Sequence, residues 1–308
     1  MKAAFFRQYG PPEVLEYGEL PDPVPAPGEV LIDIHAASVN AADWKMRSGQ
    51  YPTKVALPHI PGRDLSGVVA AVGEGARDFR RGEAVFAVCE VPAEGAYAEK
   101  IALRQEIVAR KPGALSHVQC AAVALAGLTA LLSIEDTLEL RRGETVLIHG
   151  GAGGVGGFAI QLARHLGARV IATASAANHE YVHSLGAEQV IDYRSQDFAA
   201  LVSGCDAVFD TAGGDVTLRS FAVLRPGGRL ASVAAGLRAL QSPRADVSSL
   251  RPNVERKRRH LERVAALLAS GVLRLPEITV FPLSEAAAAH RISEGRHLRG
   301  KLVLQVVP

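Results

Sequence analysis

Apolar runs and helical periodicities alternate in the middle of the chain. Residues Thr145 to Ile148 form a β-branched apolar run, which is typical of a strand buried on both faces. A glycine-rich turn follows, then a helical pattern that stops at Gly167, then a second apolar run at 169–173. Strand, glycine turn, helix and strand is the order of a dinucleotide-binding unit. This stretch therefore predicts a nucleotide-binding βαβ motif.

Helices and strands also alternate on both sides of this motif. Before it, the most apolar run predicts a buried helix at 120–132. After it, the pattern predicts helices at 178–185, 216–224 and 254–270, and strands at 189–192, 206–210 and 229–233. Parallel strands joined by short helices imply right-handed crossovers and a ligand at the carboxyl ends of the strands. The middle of the chain therefore predicts a doubly wound parallel sheet of the α/β class.

The two ends of the chain have a different pattern. Short apolar runs separated by Pro and Gly turns are typical of a small barrel, and they lie at 2–6, 29–37, 66–72, 84–88, 98–103, 277–282 and 301–307. A chain of 308 residues fits two domains. We predict one β-rich domain made of 1–117 plus 272–308, into which a dinucleotide-binding domain, 118–271, is inserted.

The glycine turn has the spacing G-x-G-x-x-G. Gly151 is predicted to let the chain turn sharply, Gly153 to let the backbone approach a pyrophosphate, and Gly156 to let the helix pack closely. The start of the helix adds unpaired N–H groups and a partial positive charge. A glycine loop without a ligand is the alternative, which the strand and helix on either side disfavour. The predicted phosphate-binding residues are Gly151, Ala152, Gly153, Gly154, Val155 and Gly156.

Composition narrows the function classes. The net charge of +2 indicates neither a nucleic-acid binder nor an acidic tail, and acidic residues interleave with the basic run at 256–259, as on a solvated helix face. The three cysteines lie too far apart for a disulfide framework or a zinc knuckle. The N-terminus lacks the apolar segment of a signal peptide, and the run at 120–132 is short for a bilayer. We expect a cytoplasmic protein with no membrane or nucleic-acid partner.

Several longer motifs carry a resemblance over nearly the whole chain. They are ASVNAADWKMRSGQY (37–51), PGRDLSGVVAAVG (61–73), GLTALL (127–132), VLIHGGAGGVG (146–156), SLGAEQVIDY (184–193), LRPGGRL (224–230) and the closing FPLSEAAAAHRISEGRHLRGKLVLQV. Together they resemble the medium-chain dehydrogenase/reductases, in their zinc-independent quinone oxidoreductase (zeta-crystallin-like) branch. The resemblance implies a Rossmann domain inserted in a GroES-like β-barrel domain, a cleft between them and a homodimer. It also implies hydride transfer from NADPH to a small electrophile.

The metal ligands of zinc-dependent relatives are missing. Those relatives carry a cysteine near 38–40, a His-Glu pair near 61–64 and four closely spaced cysteines. This chain reads SVN at 38–40 and PGRD at 61–64, and only Cys89 lies near the structural position. Catalytic zinc needs three N, S or O ligands and structural zinc needs four. His35 and His59 are isolated, and we predict no metal.

The residues after the second strand favour NADPH. An NAD site carries an acidic residue about twenty positions past the glycines, whereas this chain has Thr173 and Ser175 there. A hydroxyl can donate to a 2′-phosphate, which a carboxylate would repel. The resemblance adds Tyr193, and Thr129 at the nicotinamide end, but Asn178 stands where relatives often carry a lysine. The structural alternatives are a helix N-cap at Ser175 and back-bonding within the helix at Thr129.

The substrate side is predicted from the turn at 40–51. Hydride addition builds negative charge on oxygen, and the resemblance places this turn over the nicotinamide. Asn40 and Lys45 can donate hydrogen bonds, and Tyr51 can supply a proton or a hydrogen bond. Asp43 is predicted to cap the short helix around Trp44, and the alternative for Lys45 is a solvated surface.

These features predict an NADPH-dependent reductase of quinones or α,β-unsaturated carbonyls such as enones and alkenals. An enoyl reductase of the polyketide type has the same fold and is the first alternative. A non-enzymatic NADPH-binding protein is the second. An assay of NADPH oxidation with added quinones and enones distinguishes an enzyme from a binding protein.

Overall fold

The computed structural model describes residues 1–93, 95–234 and 239–307. The chain divides into two compact units. The first comprises Met1–Leu125, Arg256–Ala266 and Leu275–Pro308, and the second Ala126–Glu255 and Leu267–Arg274. The second unit is therefore inserted in the sequence of the first.

Fifteen strands and eight α-helices are formed by the described residues. The strands are β1 (Lys2–Phe6), β2 (Leu15–Glu19), β3 (Glu29–Val39), β4 (Asp64–Val72), β5 (Ala84–Val88), β6 (Lys100–Arg104), β7 (Val108–Arg110), β8 (Thr145–His149), β9 (Arg169–Ala174), β10 (Gln189–Asp192), β11 (Cys205–Asp210), β12 (Leu224–Ser232), β13 (Ser248–Leu250), β14 (Ile278–Pro282) and β15 (Lys301–Gln305). The helices are α1 (Ala41–Arg47), α2 (His117–Leu131), α3 (Gly154–His165), α4 (His179–Leu185), α5 (Phe198–Leu201), α6 (Asp215–Ser220), α7 (Arg258–Ala269) and α8 (Ala286–Glu294).

The first unit is built on a seven-stranded sheet around the long strand β3. The sheet order is β14-β15-β3-β4-β5-β7, and β6 also pairs with β3. Strand β15, near the end of the chain, pairs antiparallel with β3 in the register Leu302↔Val39. Alternate residues of β3, including Ile32 and Ile34, are fully buried in the core. The sheet thus combines strands from both ends of the chain in one β-rich unit, whereas the predicted domain bounds, 1–117 plus 272–308, stay a prediction.

The second unit contains a six-stranded parallel sheet. Its order, β10-β9-β8-β11-β12-β13, is the Rossmann order 3-2-1-4-5-6 when β8 is counted as the first strand. Leu147, Ile171, Val208 and Leu230 of adjacent strands are buried in its core. The order reverses at β8, where the glycine turn begins. The predicted doubly wound α/β fold is confirmed.

Among the predicted helices, two differ most from the sequence pattern. The predicted helix at 216–224 is wrong at its end: α6 stops at Ser220, and Leu224 begins β12 opposite Cys205 of β11. The predicted helix at 254–270 begins only at Arg258. Helix α8 was not predicted, because its alanine-rich sequence gives a weak apolar stripe of which Ala286 and Ala289 are buried. Pairing and burial set these limits, not local propensity.

Helix α2 continues through a π-helical turn to Thr137. Among the helices of the described residues, the stretch His117–Thr137 alone is long and apolar enough to cross a membrane, by length and composition. Its most apolar window is 83% buried within the protein, and a core helix meets the same criterion. The predicted burial of 120–132 is confirmed.

Candidate functional site

The glycine turn joins β8 to α3 in the second unit. Gly150 has φ +75° and so adopts the left-handed conformation that favours glycine. Gly151 does not; a Cβ on Gly151 would lie 3.0 Å from Ile160 Cδ1 and 3.2 Å from Ala172 Cβ. The sharp turn therefore depends on Gly150, one residue before the motif, and not on Gly151 as the spacing predicted. Gly151 is glycine because the core leaves it little room.

The other two motif glycines differ from each other. A Cβ on Gly156 would overlap the backbone of Gly150, whose carbonyl carbon lies 2.8 Å away, so this glycine lets the helix pack against the turn. Gly153 is extended, with φ −77° and ψ 166°, and a Cβ there would meet only the Gly150 carbonyl oxygen, at 3.4 Å. The side of Gly153 where a Cβ would project is therefore open.

The start of α3 can hold a phosphate. The N–H of Gly157 donates to the Gly153 carbonyl at 2.8 Å and closes the first turn. Within the described residues, the N–H groups of Gly154, Val155 and Gly156 have no backbone partner. These donors and the open face of Gly153 fit a dinucleotide pyrophosphate.

Thr173 at the end of β9 lies beneath this turn. Its side chain is buried, accepts a hydrogen bond from Gly150 N at 3.3 Å and bonds His149 Nδ1 at 3.1 Å. His149 Nε2 lies 2.9 Å from Ser220 Oγ, and burial lowers the pKa of His149 to about 4. The structure thus gives the Thr173 hydroxyl a role in holding the turn, and its predicted contact with the cofactor stays a prediction. His149 was missed, although a histidine ending an apolar strand was a visible signal.

Ser175 and Tyr193 follow neighbouring strands, and the structure brings them together. Tyr193 N donates to the Ala174 carbonyl at 3.4 Å, and Ser175 Oγ accepts from Asn178 Nδ2 at 3.1 Å. Ser175 is the N-cap residue of a short 3-10 turn, but its side chain makes no capping bond. Tyr193 is exposed, with the Arg194 guanidinium 5.9 Å from its ring. This pair forms an open polar edge where the strand order predicts the adenosine ribose.

Thr129 lies on α2 in the second unit. It is buried, but its hydroxyl makes no hydrogen bond within the part of the chain that the structure describes. The back-bonding expected as the alternative is made instead by Ser133 Oγ, which donates to the Thr129 carbonyl at 2.6 Å. The Thr129 hydroxyl is therefore left for another partner.

The substrate-side turn of the first unit begins at Asn40 and continues through α1. Asn40 N donates to Asp43 Oδ2 at 2.8 Å, as a capping carboxylate requires. Tyr97 OH also donates to Asp43 Oδ2, at 3.0 Å, and lies 3.2 Å from His290 Nε2. The predicted structural role of Asp43 is confirmed.

Lys45 and Tyr51 are joined through the backbone: Tyr51 N donates to the Lys45 carbonyl at 2.9 Å. Lys45 is half-buried, and its Nζ lies 5.7 Å from the centroid of the Trp44 ring. Burial, and then the nearby Arg296, lower the pKa of Lys45. The described residues provide it with no carboxylate partner. The Tyr51 ring lies 4.6 Å from the guanidinium carbon of Arg63.

The Asn40 amide is held on both sides. Its Oδ1 accepts from Lys301 Nζ at 2.7 Å, and its Nδ2 donates to Asp64 Oδ1 at 3.1 Å and to the Ser38 carbonyl at 3.3 Å. Asp64 also accepts from Ser38 Oγ at 2.8 Å and from Leu125 N at 3.1 Å. Both amide hydrogens of Asn40 are therefore engaged within the protein, which speaks against its predicted role as a donor to substrate. Lys301 and Asp64 were missed as members of this site.

The residues at the zinc positions do not form a ligand set. Ser38 and Asn40 stand at the first position, and Arg63 and Asp64 at the second. The described ranges contain no group of three or more His, Cys, Asp or Glu side chains that could hold a metal ion. One carboxylate among a hydroxyl, an amide and a guanidinium does not fit zinc.

Two family models match the chain. Residues 26–119 match the alcohol dehydrogenase GroES-like domain, and residues 185–304 match the zinc-binding dehydrogenases. The chain is 32% identical to a quinone oxidoreductase of Sus scrofa, over 99% of this chain and 97% of the relative. It is also 32% identical to an NADPH-dependent alkenal/one oxidoreductase of Arabidopsis thaliana, over 100% of this chain and 80% of the relative. A mycocerosic acid synthase-like polyketide synthase of Mycobacterium tuberculosis is 32% identical, but the chain spans only 15% of its length.

Solved structures of quinone oxidoreductases and of an enoyl reductase have a similar fold over nearly the whole chain. The quinone oxidoreductase of Coxiella burnetii superposes with a TM-score of 0.92 at 36% identity, covering 100% of this chain and 99% of that one. The Escherichia coli quinone oxidoreductase complexed with NADPH gives 0.90 at 29% identity, covering 99% and 100%. The CurK enoyl reductase gives 0.88 at 26% identity, covering 99% and 98%.

Proposed function

We propose that this chain, which belongs to the medium-chain dehydrogenase/reductase family in its quinone oxidoreductase branch, reduces quinones or α,β-unsaturated carbonyls with NADPH. The observation that carries the proposal is the open glycine turn at the switch point of the Rossmann sheet, with hydroxyls and no carboxylate at the end of β9. The solved relative from Escherichia coli holds NADPH. The same fold with this polar edge suits a 2′-phosphate.

The cofactor, when bound, supplies a hydride. The chain binds the cofactor and the substrate and stabilises the negative charge that develops on the substrate oxygen. Reduction of a conjugated carbonyl leaves negative charge on oxygen, which a preorganised donor stabilises. Lys45 is the donor best suited to this task, because it is half-buried and has no carboxylate partner among the described residues. Tyr51, held to Lys45 through the backbone, is the candidate for donating a proton or hydrogen bond.

The test is the oxidation of NADPH by the purified protein, followed at the cofactor's absorbance band. A panel of quinones, alkyl enones and alkenals is added one compound at a time. Oxidation that depends on an acceptor supports the proposal. Binding of NADPH without oxidation by any acceptor of the panel would support a non-enzymatic binding protein instead.

An enoyl reductase is the second candidate. The similarity to CurK enoyl reductase and to one segment of a polyketide synthase favours it. An enoyl thioester added to the same panel distinguishes the two, because an enoyl reductase prefers the thioester to the free enone.

We also propose a homodimer located in the cytoplasm, without zinc and without a membrane or nucleic-acid partner. The family resemblance supports the dimer, and three free, buried cysteines suit a reducing compartment. Light scattering on the eluted protein tests the dimer, and elemental analysis of the same sample tests for zinc.

A further inference from the structure

A buried ammonium and a buried carboxylate lie on opposite sides of Asn40. Asp64 is fully buried and Lys301 is 5% exposed. Lys301 Nζ donates to the Val39 carbonyl at 2.9 Å and to Asn40 Oδ1 at 2.7 Å, while Asn40 Nδ2 donates to Asp64 Oδ1 at 3.1 Å. The amide therefore bridges the two charges with its oxygen towards the cation and its nitrogen towards the anion. Both charges favour this one orientation of the amide.

Removing these two charges from water costs desolvation free energy. Burial raises the pKa of Asp64, and the positive charge of Lys301 partly reverses this shift. Burial also lowers the pKa of Lys301, and the negative charge of Asp64 partly reverses that shift. Asp43 also attracts Lys301. A buried charge pair seldom stabilises a protein more than apolar residues of the same size would. A role in fixing one local geometry accounts for such a pair better than a role in overall stability.

The pair joins the two chain segments that the resemblance aligns with the ligands of zinc-dependent relatives. Val39 and Asn40 belong to the first ligand segment and Asp64 to the second, yet the side chains present do not fit zinc. Lys301 brings a positive charge to the first segment from β15. The two segments are thus held together through a lysine, an amide and a carboxylate.

We propose that Lys301 and Asp64 are positioning residues that orient Asn40 and thereby fix the start of α1, the helix that carries Lys45. Fixed protein charges then hold the substrate-side turn at the chain positions where a metal is coordinated in zinc-dependent relatives. The expected effect on turnover rests on the proposed function. The claim that the two charges fix Asn40 and the start of α1 does not depend on that function.

A double-mutant cycle tests the charge coupling: Lys301→Met, Asp64→Asn, and the two together. Each single variant leaves one buried charge without its counterpart, and the double variant leaves none. Trp44, the only tryptophan of the chain, is buried on α1 and reports on the turn by its emission and by acrylamide quenching. Enone reduction and calorimetric NADPH binding complete the measurements. Lys100→Met is the matched control, because Lys100 faces Asp22 and Asp33 at the surface of the same unit.

Each single variant is expected to lower kcat for an enone by about tenfold, which lies within the range of coupling energies for neighbouring residues. It should also increase the quenching of Trp44. The double variant should lose little more than either single variant, because both charges are needed to fix one orientation of Asn40, and NADPH affinity should be native throughout. Recovery of native kcat and native quenching in the double variant would assign the single-variant losses to an unpaired buried charge and would overturn the positioning role. Single variants with native quenching and native kcat would overturn the inference, as would a double variant whose losses are the sum of the two. If the wild type reduces no acceptor, the proposed function fails, while the quenching cycle still decides the positioning role.

Discussion

Replacing Gly153 with valine is expected to abolish NADPH binding and to leave the protein folded. The backbone of Gly153 is extended, a conformation that any residue adopts. The only described atom near an added Cβ is the Gly150 carbonyl oxygen, at 3.4 Å, an ordinary contact. The valine Cβ would therefore meet no clash in the unliganded fold, and we expect its branches to project into the space where a pyrophosphate approaches the backbone.

The expected loss of affinity follows from the donors at the start of α3. Hydrogen bonds to a charged group contribute about 1.5–3 kcal/mol each. If the displaced phosphates lose two of the three N–H donors, the cost is about 3–6 kcal/mol, or roughly 10²- to 10⁴-fold in Kd. Calorimetric titration with NADPH measures this directly.

Two further glycine variants separate binding from folding. Gly156→Ala places a Cβ 2.8 Å from the carbonyl carbon of Gly150. Because this neighbour is backbone and not a flexible side chain, the turn or the helix must shift to make room. The substitution should cost about 1–3 kcal/mol of stability, which lowers Tm by about 2–12 °C. Gly113→Val, with no atom within 4 Å of the added Cβ, should alter neither Tm nor NADPH affinity.

The reasoning is refuted if Gly153→Val binds NADPH with near-native affinity. The phosphates would then bind elsewhere, and the glycine turn would be a structural feature alone. A Gly153→Val protein that fails to fold would instead contradict the open space described at this residue. Thermal unfolding followed by circular dichroism distinguishes the two outcomes.

Four other predictions concern the cofactor, the metal, the substrate and pH. Ser175→Asp should shift the preference from NADPH towards NADH by about 1–3 kcal/mol; equal wild-type affinities for the two would contradict it. A chelator should leave activity and Tm unchanged, whereas zinc removed together with activity would end the zinc-free assignment. Lys45→Met should lower kcat for an enone by about ten- to a thousandfold, and less for a quinone, with NADPH affinity kept; unchanged kinetics would make Lys45 a surface lysine. Because the pKa of His149 is lowered from 6.5 to about 4, the unfolded chain binds a proton that the fold excludes, so Tm should fall from pH 6.5 to pH 4. His149→Asn should lessen that dependence without abolishing it, because the pKa values of His117 and His290 are also lowered, to about 4 and about 3; an unchanged dependence would contradict the prediction.

The sequence by itself determined the features that are local in the chain. The apolar run of β8, the glycine spacing and the helical period of α3 occupy one continuous stretch, so periodicity and glycine chemistry identify the nucleotide-binding unit. Asp43 was predicted as a helix cap because a capping partner lies only three residues away. The missing carboxylate after β9 is equally local, and it favours NADPH over NADH.

Only the tertiary structure decided what the polar side chains do. Asn40 is predicted from its residue type as a hydrogen-bond donor, but Asp64 and Lys301 engage its amide from 24 and 261 residues away. No pattern within the chain reports partners at such separations. Likewise, the steric limit at Gly151 is set by Ile160 and Ala172. Burial against distant strands determines which polar groups remain free for a ligand. The fold and a local role such as the cap at Asp43 could therefore be predicted from the sequence, whereas the roles of Asn40, Asp64 and Lys301 could not.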